Sequence, residues 1–266
     1  MSFSPLRQMT WCSTWHRWLA RDVGLRKLFG PITIFVSISV PCALVGYVFA
    51  YLWLESSFLT FLGGIVLLMW CFGPGDTGRD IELYSQSYRD PTDDSAIPPS
   101  GNFLSEILAS GVGDDAVYQR AVAIVSNERV FAPALWFAVL GPLGALLFRM
   151  ASVLNRSGEL TGPELFFTQR LHDVLLWVPA RLIALALGLA GTLGPVLTII
   201  TQHAHGLDGA EKLVGDAALA AHDSSSRDGD ADDVHIESIT SMLSLVKRAF
   251  VVWLAVLAIA AAAGIV

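Results

Sequence analysis

The chain has 266 residues, of which 53% are hydrophobic and 15% charged, with a formal net charge of −7 at pH 7. A soluble domain of this size would have to hide five long apolar runs in one core, and a nucleic-acid binder would carry a basic patch. The composition argues against both. It predicts an integral membrane protein whose acidity is local: Asp90, Asp93, Asp94, Asp114 and Asp115 in one loop, and Asp223, Asp228, Asp230, Asp232 and Asp233 in another.

Residues 1–30 carry Arg7, Arg17, Arg21, Arg26 and Lys27, while Trp11, Trp15 and Trp18 recur at i, i+4 and i+7. That pattern predicts a basic amphipathic helix lying in the headgroup interface. The positive-inside rule puts it on the cytoplasmic side. Tryptophans packed into a protein groove are the alternative. Pro31–Leu54 and Ser56–Phe72 then contain no Asp, Glu, Lys, Arg or His. They predict a transmembrane hairpin over residues 31–73, turned at Glu55-Ser56.

Residues 74–129 read as a cytoplasmic loop with a helical part, its broken apolar stripe passing through Val117, Ala121 and Val125. The loop opens with Gly73-Pro74-Gly75-Asp76-Thr77-Gly78-Arg79-Asp80. Its glycines permit tight turns whose free N–H groups hold anions, although the GK[ST] ending of a phosphate loop is absent. A charged helix cap is the structural alternative for Asp76, Arg79 and Asp80. Further on, Asn127, Glu128 and Arg129 read equally as a helix start or as ligand-binding groups.

Residues 130–202 hold two interrupted apolar segments. Gly141-Pro142 divides Val130–Val153 into pieces of about eleven and twelve residues, each too short to cross a bilayer. Gly188, Gly191 and Gly194-Pro195 interrupt Val174–Ile200. Kinked spanning helices and re-entrant hairpins are both open, and re-entrance keeps Arg156 and Arg170 on the cytoplasmic side. Arg149 and Arg181 are the sharper signals, because an arginine inside apolar sequence needs a partner or a polar cavity. Snorkelling to the interface is the plain reading of Arg149. Arg170, His172 and Asp173 bring a base, an imidazole and an acid close together, and Asp173 is a candidate ion-pair partner for Arg181. Residues 203–247 form a second cytoplasmic segment, partly disordered around Ser224–Asp233, and 248–266 form a C-terminal transmembrane helix. The cysteines Cys12, Cys42 and Cys71 have no CxxC spacing and read as packing residues. No disulfide framework and no metal site are expected.

Four stretches carry a family resemblance: GPGDTGRDIELY (73–84), NERVFAPALWFAVLGPLGALLFRMASVLN (127–155), LHDVLLWVPARL (171–182) and VKRAF before the last apolar run. Their order and spacing resemble the AmpE family of bacterial inner-membrane proteins, associated with chromosomal β-lactamase induction. AmpE is in turn similar to the cobalamin-pathway membrane proteins CobD and CbiB. Arg149, Arg170, Asp173, Trp177 and Pro179-Ala180-Arg181-Leu182 match their pattern. His172 stands where that pattern has an aspartate, Leu176 where it has an asparagine, and Ser152-Val153-Leu154-Asn155 where it has NTLD.

The resemblance implies an all-α polytopic fold with broken or re-entrant helices and part of an anion-binding cavity. It implies a regulatory or signalling role in the bacterial inner membrane, with catalysis left open. The ligand set it implies is Asp76, Arg79, Asp80, Glu128, Arg129, Arg149, Asn155, Arg170, His172, Asp173, Trp177 and Arg181. ATP or another phosphorylated ligand, an anionic small molecule, the lipid bilayer and a homodimer are the expected partners, and nucleic acid is not. A CobD/CbiB-like enzyme and a transporter of an anionic cell-wall fragment are the alternatives.

Overall fold

A computed structural model describes residues 9–19, 23–72, 115–158, 162–203, 209–222 and 231–263, with the single positions 81, 160 and 206. The described residues are mostly helical, without a strand, and four helices are long and apolar enough to cross a membrane. The chain is an all-α polytopic membrane protein. It divides into two compact units: Met1–Pro74 with Ala132–Leu176, and Gly75–Phe131 with Trp177–Val266. This division does not follow the linear segments expected from the sequence.

The first unit is built on a helical hairpin, α1 (Thr10–Leu19) packing beside α2 (Val23–Glu55), which turns into α3 (Ser57–Cys71). Helix α2 starts eight residues before the expected Pro31. Ser56 alone makes the turn in extended conformation, its N–H donating to the Leu52 carbonyl at 2.8 Å. Phe35, Tyr47, Leu54, Phe58, Phe61 and Val66 point outward from the pair. Such a face fits hydrocarbon and not water.

Helices α5 (Ala132–Leu140) and α6 (Pro142–Arg156) form a second hairpin through Gly141, whose φ of +69° suits glycine. Pro142 follows at the first helical position, where its missing N–H costs no helical bond. Gly144 packs against the preceding helix so closely that a methyl group there would overlap the Trp136 carbonyl oxygen. The tip of this hairpin lies beside the middle of α2 and α3. Leu143 would be 3.3 Å from a Cβ on Gly46, and Pro142 3.6 Å from one on Gly64. At a rise of 1.5 Å per residue those glycines lie about 14 Å and about 12 Å from the Glu55-Ser56 turn. Within this unit, then, the α5–α6 hairpin reaches partway along α2 and α3 and returns.

The piece before Gly141 is longer than the sequence suggested. Helix α4 (Asp115–Ser126) continues through a π-helical turn (Asn127–Phe131) into α5, giving one helix of 26 residues. Pro133 supplies the cause. It cannot donate to the carbonyl four residues back and its ring crowds that carbonyl, so the helix widens just upstream. The buried stripe of α4 passes through Tyr118, Ala121, Val122 and Val125, so Val117 faces outward, unlike the expected stripe.

Helix α7 (Pro163–Ala190) belongs to the first unit up to Leu176 and to the second from Trp177, and it runs through Pro179 unbroken. It ends at Gly191, short of Pro195, which sits in the first turn of α8 (Leu193–Gln202). In the second unit α4 packs on α9 (Ala210–Ala221) and on α10 (Ala231–Ala262). Arg120 and Asp216 pair at 2.9 Å across α4 and α9. Helix α10 crosses the expected boundary at residue 247 without a break. Its buried positions Ile239, Met242, Val246, Ala249 and Trp253 keep one helical stripe through both its polar and its apolar half. Glu237–Ile259 is the part able to cross a membrane.

Two outcomes check this arrangement. Gly144→Ala should lower stability by about 1–3 kcal/mol, read as a fall in the thermal midpoint, because the added methyl forces the two helices apart. After replacement of the native cysteines, Ser157→Cys should react with an impermeant reagent from the face opposite to Ser56→Cys. Labelling of both from one face would mean that α6 and its connection continue across.

Candidate functional site

The first unit places its polar groups along α6 and α7. Arg149 is only 8% exposed. It lies on α6, whose Leu146, Met150 and Leu154 join a cluster with Met9, with Cys12 of α1 and with Cys71 at the end of α3. Its charge acts on the Cys12 and Cys71 thiols. Burial, reinforced by Cys42, pushes the Cys12 thiol up to about 12, against the opposing pull of the Arg149 guanidinium. The cysteines are free thiols, and no group of three metal-ligating side chains occurs among the described residues.

His172 is buried on α7, its ring 5.9 Å from that of Phe148 on α6. Thr168 and Glu164 follow at four-residue steps on the same face and are buried as well. Ser152 is buried, and the Asn155 Oδ1 has no hydrogen-bond partner among the described residues. The Thr168 hydroxyl donates to the Glu164 carbonyl at 2.9 Å, which leaves its oxygen able to accept. Helices α6 and α7 thus each bury polar side chains among apolar ones. The sequence reading had included Arg149, Asn155 and His172 but missed Ser152, Glu164 and Thr168. The four-residue spacing of Glu164, Thr168 and His172 was the available signal.

Arg170 is on another side. It is exposed, 5.6 Å from the exposed Phe166 ring one turn earlier. At 100° per residue it sits roughly opposite Thr168 and His172 on the helix, so it does not join the buried row. Asp173 is half-buried on α7. Asp76, Arg79 and Asp80 lie outside the described residues.

In the second unit, Arg181 is held by the chain itself. Its guanidinium lies 3.8 Å from the centre of the Trp177 ring. It donates to the Trp177 carbonyl at 3.1 Å, the His203 carbonyl at 2.8 Å and the Gly206 carbonyl at 3.4 Å. The Trp177 Nε1–H donates to the same Gly206 carbonyl at 3.1 Å. His203 caps the C-terminus of α8, where carbonyls lack helical partners and the helix dipole is negative. A planar cation stacked on an indole suits that place.

The α7–α8 turn closes in a similar way. The Thr192 N–H donates to the Ala221 carbonyl at 3.2 Å and its hydroxyl to the Ala220 carbonyl at 2.6 Å, capping α9. Asn127, Glu128 and Arg129 form a third polar group, buried in the π-helical turn. Phe131 beside them packs edge-on against Phe250 and Trp253 of α10.

The described residues of the one expected ligand set thus divide between the units: Arg149, Asn155, Arg170, His172 and Asp173 belong to one, Glu128, Arg129, Trp177 and Arg181 to the other. No family model, curated protein or solved structure matches the chain. Removing the clamp tests its structural role. Arg181→Gln should cost about 2 kcal/mol or more in thermal unfolding, since three backbone acceptors lose a charged donor. Arg181→Lys should recover little, because a point charge neither stacks nor forks.

Proposed function

We propose that this chain is a multi-pass bacterial inner-membrane regulatory protein of AmpE type, which binds a small anionic ligand in its first unit without transforming it. The observation that carries the reading is Arg149, a permanent cation buried in the first unit, which also buries Ser152, Thr168 and His172 on the helices α6 and α7. Arginine holds carboxylate or phosphate through two parallel hydrogen bonds, and a buried charge gains most from such a partner. Ser152, Asn155, Thr168 and His172 supply neutral donors and acceptors that would recognise the rest of the ligand. The four stretches that resemble AmpE support a link to β-lactamase induction and cell-wall recycling, and with it an anionic muropeptide as the ligand class.

Arg181 favours this reading over a CobD/CbiB-like ligase. It matches the ligase pattern, yet its guanidinium hydrogen-bonds backbone carbonyls of its own chain. Deleting the gene should alter β-lactamase induction or the pool of recycled muropeptides and leave cobalamin synthesis intact. In purified protein, anionic muropeptides should raise the thermal midpoint and Arg149→Gln should remove that rise. Cobalamin auxotrophy on deletion, rescued by this chain, would overturn the assignment.

A further inference from the structure

We propose that the end of the first unit that carries α1 docks on anionic phospholipid headgroups through an exposed rim of arginines and aromatic rings. Helix α1 packs on α2 and α6, and Trp11 stacks on Trp70 of α3 with ring centres 6.1 Å apart. Cys12 of α1 shares one apolar cluster with Cys71 at the end of α3 and with Leu154 near the end of α6, and Leu165, Phe167 and Leu171 of α7 pack against it. These parts of the four helices therefore lie at one level. The Glu55-Ser56 turn is at the other end of α3, about 21 Å away at 1.5 Å per residue.

Three exposed arginines collect at this level. Arg17 shares the outward stripe of α1 with Thr14 and Trp18, and donates to the Thr14 hydroxyl at 3.2 Å. Trp18 is 54% exposed and stacks on Trp15 with ring centres 5.4 Å apart. Arg156 ends α6 and is exposed. Arg170 lies 5.6 Å from the centre of the Phe166 ring, itself 63% exposed, on the outward stripe of α7. Glu164 of the same helix is buried and Asp173 half-buried, and the only exposed carboxylate among the described residues of the first unit is Glu55, at the far turn. The stretches that supply the rim, residues 1–30 and 156–170, carry seven arginines and lysines against the three carboxylates of Asp22, Glu159 and Glu164.

The neighbouring surface says what covers this rim. Ile32 and Phe35 of α2 and Met69 of α3 are exposed at the same level and lead into the apolar outer face of the hairpin. Tryptophan and arginine bordering such a face suit the membrane interface. The ring sits among the glycerol and upper acyl groups, while the guanidinium extends to the phosphate. Charge then selects the headgroup. A guanidinium takes a phosphodiester through two parallel hydrogen bonds. A zwitterionic lipid brings an ammonium group as well, which meets arginines and no exposed carboxylate. An anionic lipid such as phosphatidylglycerol brings no cation. The occupant is therefore the anionic lipid of the leaflet on the α1 side. Arg149, buried in the unit, takes no part in this surface.

Lipid retention by the full chain tests this. The protein in detergent micelles is incubated with phosphatidylglycerol and phosphatidylcholine at equal concentration and repurified, and the ratio of the two lipids it keeps is measured. Wild type should favour phosphatidylglycerol. Arg17→Gln, Arg156→Gln and Arg170→Gln should each lower the ratio about fivefold, with the thermal midpoint in lipid-free micelles unchanged. Glu55→Gln and Arg149→Gln should keep the wild-type preference. Added salt should reduce phosphatidylglycerol retention by the wild type and spare phosphatidylcholine. Equal retention of the two lipids, or an undiminished preference in the triple arginine variant, would overturn the proposal. So would loss of the preference in Arg149→Gln alone, which would put the lipid in the interior. Displacement of phosphatidylglycerol by an equal concentration of glycerol phosphate would point to a soluble anion and overturn it too.

Discussion

The first unit depends on the close approach of two helix backbones at Gly144. Because residue 144 has no side chain, α6 can fold straight back against the Trp136 carbonyl after the left-handed turn at Gly141. That return sets the level of every polar group on α6. Gly46 and Gly64 then admit Leu143, Phe137 and Pro142 at van der Waals distance, which wedges the hairpin against α2 and α3. Irregular backbone of this kind persists in hydrocarbon only when protein shields it, and here two long helices do so.

Arginine embedded in apolar sequence has three different fates in this protein. Arg149 is buried on α6, close enough to the Cys12 and Cys71 thiols for its charge to act on them. Arg170 stays on the surface and lies over an exposed phenylalanine ring. Arg181 stacks on Trp177 and binds carbonyls at the end of a helix. The common cause is the penalty on a cation without acceptors, which Arg170 meets with an aromatic face and Arg181 with an aromatic face and backbone oxygens.

The helical hairpin of α2 and α3 was legible because charge-free runs of that length have few other uses. The breaks at Gly141 and Gly191 were legible because glycine beside proline or threonine marks a turn. Continuity was harder to read. Pro133 and Pro179 both lie inside helices: one shifts the helix into a π-turn, and the other is absorbed without interruption. The row of Glu164, Thr168 and His172 was overlooked because Arg170 and Asp173 drew attention as charges, whereas only helical phase separates the buried residues from the exposed ones. The tryptophans of α1 were read as one lipid-facing stripe. Packing divides them, with Trp11 against Trp70 and Trp18 outward.

By itself the sequence determined the class of protein, the apolar pair α2 and α3, and the breaks at Gly141 and Gly191. Each follows from local composition and from backbone restrictions that glycine and proline impose whatever surrounds them. Only the tertiary structure decided which polar residues share a neighbourhood. A guanidinium reaches several ångströms from its backbone, and whether it meets a carbonyl, an aromatic ring or another side chain depends on the helix that folds against it. Arg149 and Arg181 look alike as embedded arginines in the sequence. They differ because α6 returns against α1 and α3, whereas α7 is met by the carbonyl end of α8.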